Sequence, residues 1–219
     1  MKPLLSEIED AGTLQKLGRA SVQIIHDLKN QINGLKLYAT FLRKRMEKSE
    51  RPPDEQETIA KLIAGLERAA ADMATIVRYG RPIELRPQPH ADLAKILSGL
   101  ENGDGLRIEA GDGPVEGRFD VVAITEAFKT VTATALGMRP AEDDGPLSIC
   151  LLPSAEGGRR AAVVEWRTVK SNNGTDPFRS FSGSDGLRMS LAARIIEAHG
   201  GEARQEANTL RVRLPLEPD

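Results

Sequence analysis

Ile24-Ile25-His26-Asp27-Leu28-Lys29-Asn30-Gln31-Ile32 sets a single histidine inside a strongly patterned amphipathic segment. Outward from it, Leu14, Ser21, Leu28, Leu35 and Leu42 recur every seven residues, and Ile25, Ile32, Ala39 and Met46 each follow four places after one of them. Apolar residues at that spacing draw one continuous stripe along a helix, as a bundle helix requires. His26 falls on the flank of the stripe and faces water, whereas a core histidine would fall on it. Asn30 comes one turn later on the same face, and Asp27 is adjacent. An imidazole with a carboxylate beside it and an amide one turn away suits proton and phosphoryl chemistry. A surface histidine with no duty is the bland alternative, and the flanking acid and amide weigh against it.

The segment Ser49-Glu50-Arg51-Pro52-Pro53-Asp54 predicts a turn that no helix crosses. A second stripe then runs through Ile59, Leu62, Ile63, Leu66, Ala69, Ala70, Met73, Ile76 and Val77, and Asp54 with Glu57 reads as its N-terminal cap. A first helix from about Ser6 to Met46 would be roughly 60 Å long. Residues 1–80 therefore read as a helical hairpin. Two full stripes cannot both be buried within one hairpin, so pairing of two copies into a dimeric four-helix bundle is the expected solution.

Tyr79-Gly80-Arg81-Pro82 ends the helical period, and residues 81–90, crowded by Pro82, Pro87 and Pro89, read as an extended linker. Beyond it the chain changes character. Ala91 to Leu100 suggests a short helix, Leu106 to Ala110 alternates as a strand does, and Asp120 to Met138 carries a helical period. Leu147 to Leu152 and Ala161 to Trp166 form a hairpin pattern around Glu156-Gly157-Gly158, with Trp166 as a core residue. Asp185 to His199 is a further helix stopped by Gly200-Gly201. Glu202 to Glu206 and Leu210 to Leu214 read as a last hairpin. The fold class is thus α+β: a helical hairpin followed by an α/β sandwich over residues 91–219.

The chain has 219 residues, 30 basic and 32 acidic, for a net charge of −2, and a sequence pI near 6.0. That balance leaves no electrostatic footprint for nucleic acid or an anionic membrane surface. Cys150 is the one cysteine; its apolar run predicts a buried strand thiol and excludes an internal disulfide. The N-terminus is too short and polar for a signal peptide, and no apolar stretch approaches a membrane span. A soluble cytoplasmic protein is expected. His90 and His199 lie at predicted helix ends, and the scattered histidines and cysteine form no metal-site spacing.

His26-Asp27-Leu28-Lys29-Asn30, on a helix that pairs with another ahead of an α/β sandwich, resembles the two-component histidine kinases. Leu191-Ala192-Ala193-Arg194-Ile195-Ile196-Glu197-Ala198-His199-Gly200-Gly201 and Leu214-Pro215-Leu216 look like the close of their catalytic domain. The resemblance runs from about Leu14 to Leu216. It implies that His26 is the phosphoacceptor, that Asp27 orients the ring and takes up its proton, and that Asn30 positions a water for dephosphorylating a partner. Gln31 stands where many members have proline, which implies a helix without that kink.

The resemblance also implies an ATP site, and there the sequence departs. Thr134 aligns with the asparagine that would hold magnesium, and Thr130 with an earlier asparagine. Trp166-Arg167-Thr168-Val169-Lys170 has neither carboxylate nor glycine where the adenine-reading Asp-x-Gly should lie. Ser184, Gly186 and Arg188 occupy places that hold three glycines in the family, and without them the backbone cannot approach phosphates closely. Lys129, Lys170 and Arg188 could still meet anions. A degraded site near Thr134, Arg167, Gly186 and Arg188 on an intact scaffold resembles the histidine phosphotransferases built like a kinase without its ATPase function. This implies a dimer that serves response-regulator receiver domains with no cofactor of its own. Two alternatives stand beside it: a sensor kinase module with a divergent site for ATP and magnesium, and a pseudokinase scaffold that sequesters regulators without phosphoryl transfer.

Overall fold

The computed structural model describes residue 25 and residues 28–46, 53–100, 105–111, 113–140, 145–156, 159–167, 169–170 and 176–216. The chain divides into two compact units between Pro82 and Ile83. Among the described residues, no helix is long and apolar enough to cross a membrane.

The first unit holds α1, described over 28–46, and α2, Pro53–Tyr79. Helix α2 opens on Pro53, where a missing N–H costs nothing, and Asp54 and Glu55 complement the helix dipole in its first turn. Asp54 therefore sits inside the helix rather than at its cap, and its carboxylate accepts from the Glu55 amide at 3.0 Å. Lys36 on α1 reaches Glu67 on α2 at 2.7 Å. Ala39 and Ile63 are buried; they lie three residues on along α1 and four back along α2 from that pair, as antiparallel helices require. Much of the remaining stripe is half-buried, but four of its leucines are not covered. Leu28, Leu35 and Leu42 are 40%, 53% and 53% exposed, and Leu62 on α2 is 52% exposed.

The second unit begins with β1, Gln88–Asp92, so a strand forms at the end of the segment read as linker. Helix α3 is Leu93–Ser98, capped by Asp92, whose carboxylate accepts from the Ala94 amide. Strands β2, Leu106–Ala110, and β3, Glu116–Phe119, follow. Helix α4, Val121–Gly137, has Asp120 as its N-cap. Strands β4, Leu147–Glu156, and β5, Arg159–Trp166, pair antiparallel. A single 3-10 turn at Pro177–Arg179 precedes α5, Gly183–Ala198, and β6, Glu202–Glu206, and β7, Thr209–Pro215, complete the chain.

Strands β1 and β3 form a two-stranded sheet, and the remaining five form a mixed sheet in the order β2-β4-β5-β7-β6. Alternation decides its inner face. Ile149 and Leu151 on β4, Val164 and Trp166 on β5, and Leu210, Val212 and Leu214 on β7 are all buried and fall in register. Trp166 meets Phe128 of α4 edge-on at 5.6 Å, which packs helix on sheet and accounts for the sandwich. Cys150 is a buried free thiol, its burial as its apolar run predicts, and it donates to the Glu109 carboxylate at 3.4 Å. The opposite face carries charge. Glu165 bonds Arg167 at 2.9 Å and approaches Arg211 at 3.7 Å, and Arg211 reaches Glu206 at 3.0 Å. Those carboxylates offset the opposition of Arg204 and Arg211 across the β6–β7 pair.

Candidate functional site

His26 and Asp27 lie outside the described residues. Asn30 is described; it is exposed on α1. Lys29 is half-buried beside it.

The second unit contains a cleft of about 540 Å³ between α4 and the start of α5. One wall is the α4 face with Glu126, Lys129, Thr130, Ala133 and Thr134, and Met138 closes its end. The other wall is Asp185, Gly186, Arg188 and Met189 of α5, with Pro177, Ser180 and Ser182 from the preceding segment. Thr130 and Thr134 share this wall because they are one turn apart. Thr130 already donates its hydroxyl to the Glu126 carbonyl at 3.0 Å.

Of the residues singled out by sequence, the structure brings Thr134, Gly186 and Arg188 together with Lys129 and Thr130. It does not bring Arg167 to them. Inward-facing Trp166 turns the next polar residues elsewhere: the Arg167 guanidinium is held by Glu165, and its backbone N–H donates to the Ser148 carbonyl at 3.0 Å. Lys170 is tied by its backbone N–H to the Met138 carbonyl at 2.8 Å, and it does not line the cleft.

Glu126, Ser180, Ser182 and Asp185 line the cleft without having been singled out for it. Gly183-Ser184-Asp185-Gly186 reads in sequence as a loop and cap, and the helix in fact starts at Gly183, where φ is +69°. Gly186 has a local duty. A Cβ there would come within 3.0 Å of the Ser180 carbonyl oxygen, while buried Ser190 donates its hydroxyl to that same oxygen at 2.8 Å. The glycine thus makes room for the Ser180 segment to lie across α5.

The charged lining balances Glu126 and Asp185 against Lys129 and Arg188. Beside those two carboxylates, its polar groups are side-chain hydroxyls and two cations rather than amide oxygens and open glycine backbone. Thr134 offers a hydroxyl in place of an amide oxygen, Arg188 brings a side chain where close backbone approach is needed, and Gly186 is occupied by Ser180. Among the described residues, no group of three or more metal-ligating side chains is found.

No family model matches the sequence, and no curated protein matches it. Solved structures do match the fold. Full-length ShkA, solved in complex with AMPPNP, superposes with a TM-score of 0.62 at 16% identity, covering 90% of this chain and 45% of its own. The Acinetobacter baumannii histidine kinase AdeS gives a TM-score of 0.53 at 11% identity, covering 86% of this chain and 95% of its own. The chain thus spans less than half the length of ShkA. At such identities the likeness is one of fold, and the fold of this chain is histidine-kinase-like.

Proposed function

We propose that the chain is a histidine phosphotransfer protein of a two-component phosphorelay, carrying phosphoryl on His26 to and from response-regulator aspartates. The observation that carries this reading is the cleft lining: a histidine-kinase-like fold whose cleft presents Thr134 and Arg188, with Gly186 packed under Ser180. The scaffold is kept while the groups for handling a triphosphate are not. An imidazole nitrogen of His26 attacks the phosphorus of a regulator's aspartyl phosphate, the P–O bond to the carboxylate breaks, and Asp27 takes up the ring proton. The regulator supplies its own magnesium and acid pocket, so this chain has only to present the ring. Asn30, exposed on α1, serves phosphatase chemistry rather than transfer. The protein acts in the cytoplasm as a homodimer built on a four-helix bundle, an assembly that would cover Leu28, Leu35, Leu42 and Leu62.

The test is incubation with phosphorylated receiver domains. His26 should acquire an acid-labile, base-stable label, and His26→Gln should abolish labelling while leaving the oligomeric state unchanged. A panel of phosphorylated receivers that leaves His26 unlabelled would sink the transfer reading and leave the scaffold alternative.

One observation favours a second reading, a kinase module with a divergent ATP site: the cleft is open and, at about 540 Å³, of ligand size. Calorimetry separates the two. Under the transfer reading, Mg-ATP binds weakly or not at all; a micromolar dissociation constant would promote the kinase reading.

A further inference from the structure

Strand β1 pairs with β3 through Gln88 opposite Phe119, and beyond that pair the ladder has no main-chain partner because the chain turns into α4. The Asp120 carboxylate takes over. The Arg86 N–H donates to its Oδ2 at 2.8 Å, and the Ala123 N–H donates to its Oδ1 at 3.0 Å as the helix cap. Asp120 in turn donates its own N–H to Nε2 of His199 at 3.0 Å. That nitrogen therefore accepts and carries no proton, which places the ring proton on Nδ1, where it donates to the Ile195 carbonyl at 2.7 Å. His199 caps the C-terminus of α5, and its ring packs against Phe119 with centroids 6.1 Å apart. One residue pair thus joins the incoming chain, β3, the start of α4 and the end of α5.

The two helices rooted here are the ones whose other stretches form the cleft walls. Each oxygen of Asp120 serves a different element, so neither bond substitutes for the other. Its carboxyl is held below the usual carboxylate range, first by the Ala123 N–H and then by the Arg86 N–H. Bonds to a charged acceptor are about twice as strong as neutral ones.

We propose that Asp120 and His199 form a latch that holds the chain entering the sandwich, at Arg86, to the roots of the two cleft helices. The latch is independent of whether His26 carries phosphoryl, because it is read at a backbone amide.

The experiment is residue-resolved amide hydrogen exchange by NMR on the full chain. Asp120→Asn keeps one oxygen to cap the Ala123 N–H and replaces the other with a donor, which cannot accept from Arg86. Exchange at Arg86 should accelerate roughly tenfold or more, with Ala123 still protected. His199→Phe keeps an aromatic ring against Phe119 and removes the acceptor, without touching the bond to Arg86. It too should accelerate Arg86, and His199→Gln, which offers a side-chain carbonyl, should return the rate toward wild type. The core amides of Val164 and Val212 are the internal standard. No acceleration at Arg86 in His199→Phe, or an acceleration equal to that of the core amides, overturns the latch.

Discussion

The indole Nε1–H of Trp166 donates to the Thr132 hydroxyl at 2.9 Å, with both side chains buried. The bond joins strand β5 to helix α4 inside the layer that Trp166 and Phe128 otherwise hold by apolar contact. Thr132→Val preserves shape and removes the acceptor, so the indole N–H stays buried with no partner. The variant should lose about 1–3 kcal/mol, read as a lower urea midpoint at unchanged slope. Thr132→Ser, which keeps the hydroxyl, should lose less. Equal midpoints for Thr132→Val and wild type would show that the indole finds another acceptor.

Leu35 is 53% exposed on α1, at the centre of a stripe running from Leu28 to Leu42. If a second copy covers that stripe, Leu35→Asp places a charge in the seam and should dissociate or unfold the bundle. Multi-angle light scattering at micromolar concentration should give a dimer for wild type and a smaller species for the variant. A monomeric wild type would remove the four-helix bundle from the account.

Asp120 should also govern acid stability. Its folded carboxyl titrates below the usual range because the Ala123 and Arg86 amides donate to it. An unfolded aspartate titrates near 3.9. The stabilisation is therefore complete above about pH 5 and drains away as pH falls through the unfolded and then the folded value. Asp120→Asn cannot titrate there. The stability gap between wild type and Asp120→Asn, from urea melts, should be widest near pH 6 and shrink toward pH 3. A constant gap would show that the carboxylate's charge contributes nothing.

Legibility in the sequence followed the strength of each pattern. Helix α4 and the β4–β5 and β6–β7 hairpins show in the residues because they bury one continuous face, as Ile124, Phe128 and Val131 do on α4. Strand β1 gives no such signal, and β3 alternates over only four residues. In Gln88–Asp92 only Ala91 is buried, the register shifts between Gln88 and Ala91, and His90 takes a φ of 56°. Such a strand has no alternation to read. The cleft divides in the same way. Thr130 and Thr134 are fixed on one helical face by spacing alone, whereas Ser180 joins them only because Gly186 and Ser190 seat its carbonyl on α5, a tertiary fit that local pattern does not encode. Arg167 misses the cleft because Glu165 and the sheet's alternation hold it on the other face.

Strand β6 lies at the end of the five-stranded sheet and carries Glu202, Arg204 and Glu206 at alternate positions, with Arg204 bonded to both acids. A free strand edge is a template for another chain, and charges spaced along it make that pairing unfavourable. This rim therefore acts as a gatekeeper against edge-to-edge aggregation. The same chain leaves leucines uncovered on α1 and α2 and guards this sheet edge with ions, so the homodimer proposed above would form by side-chain packing rather than by backbone zippering.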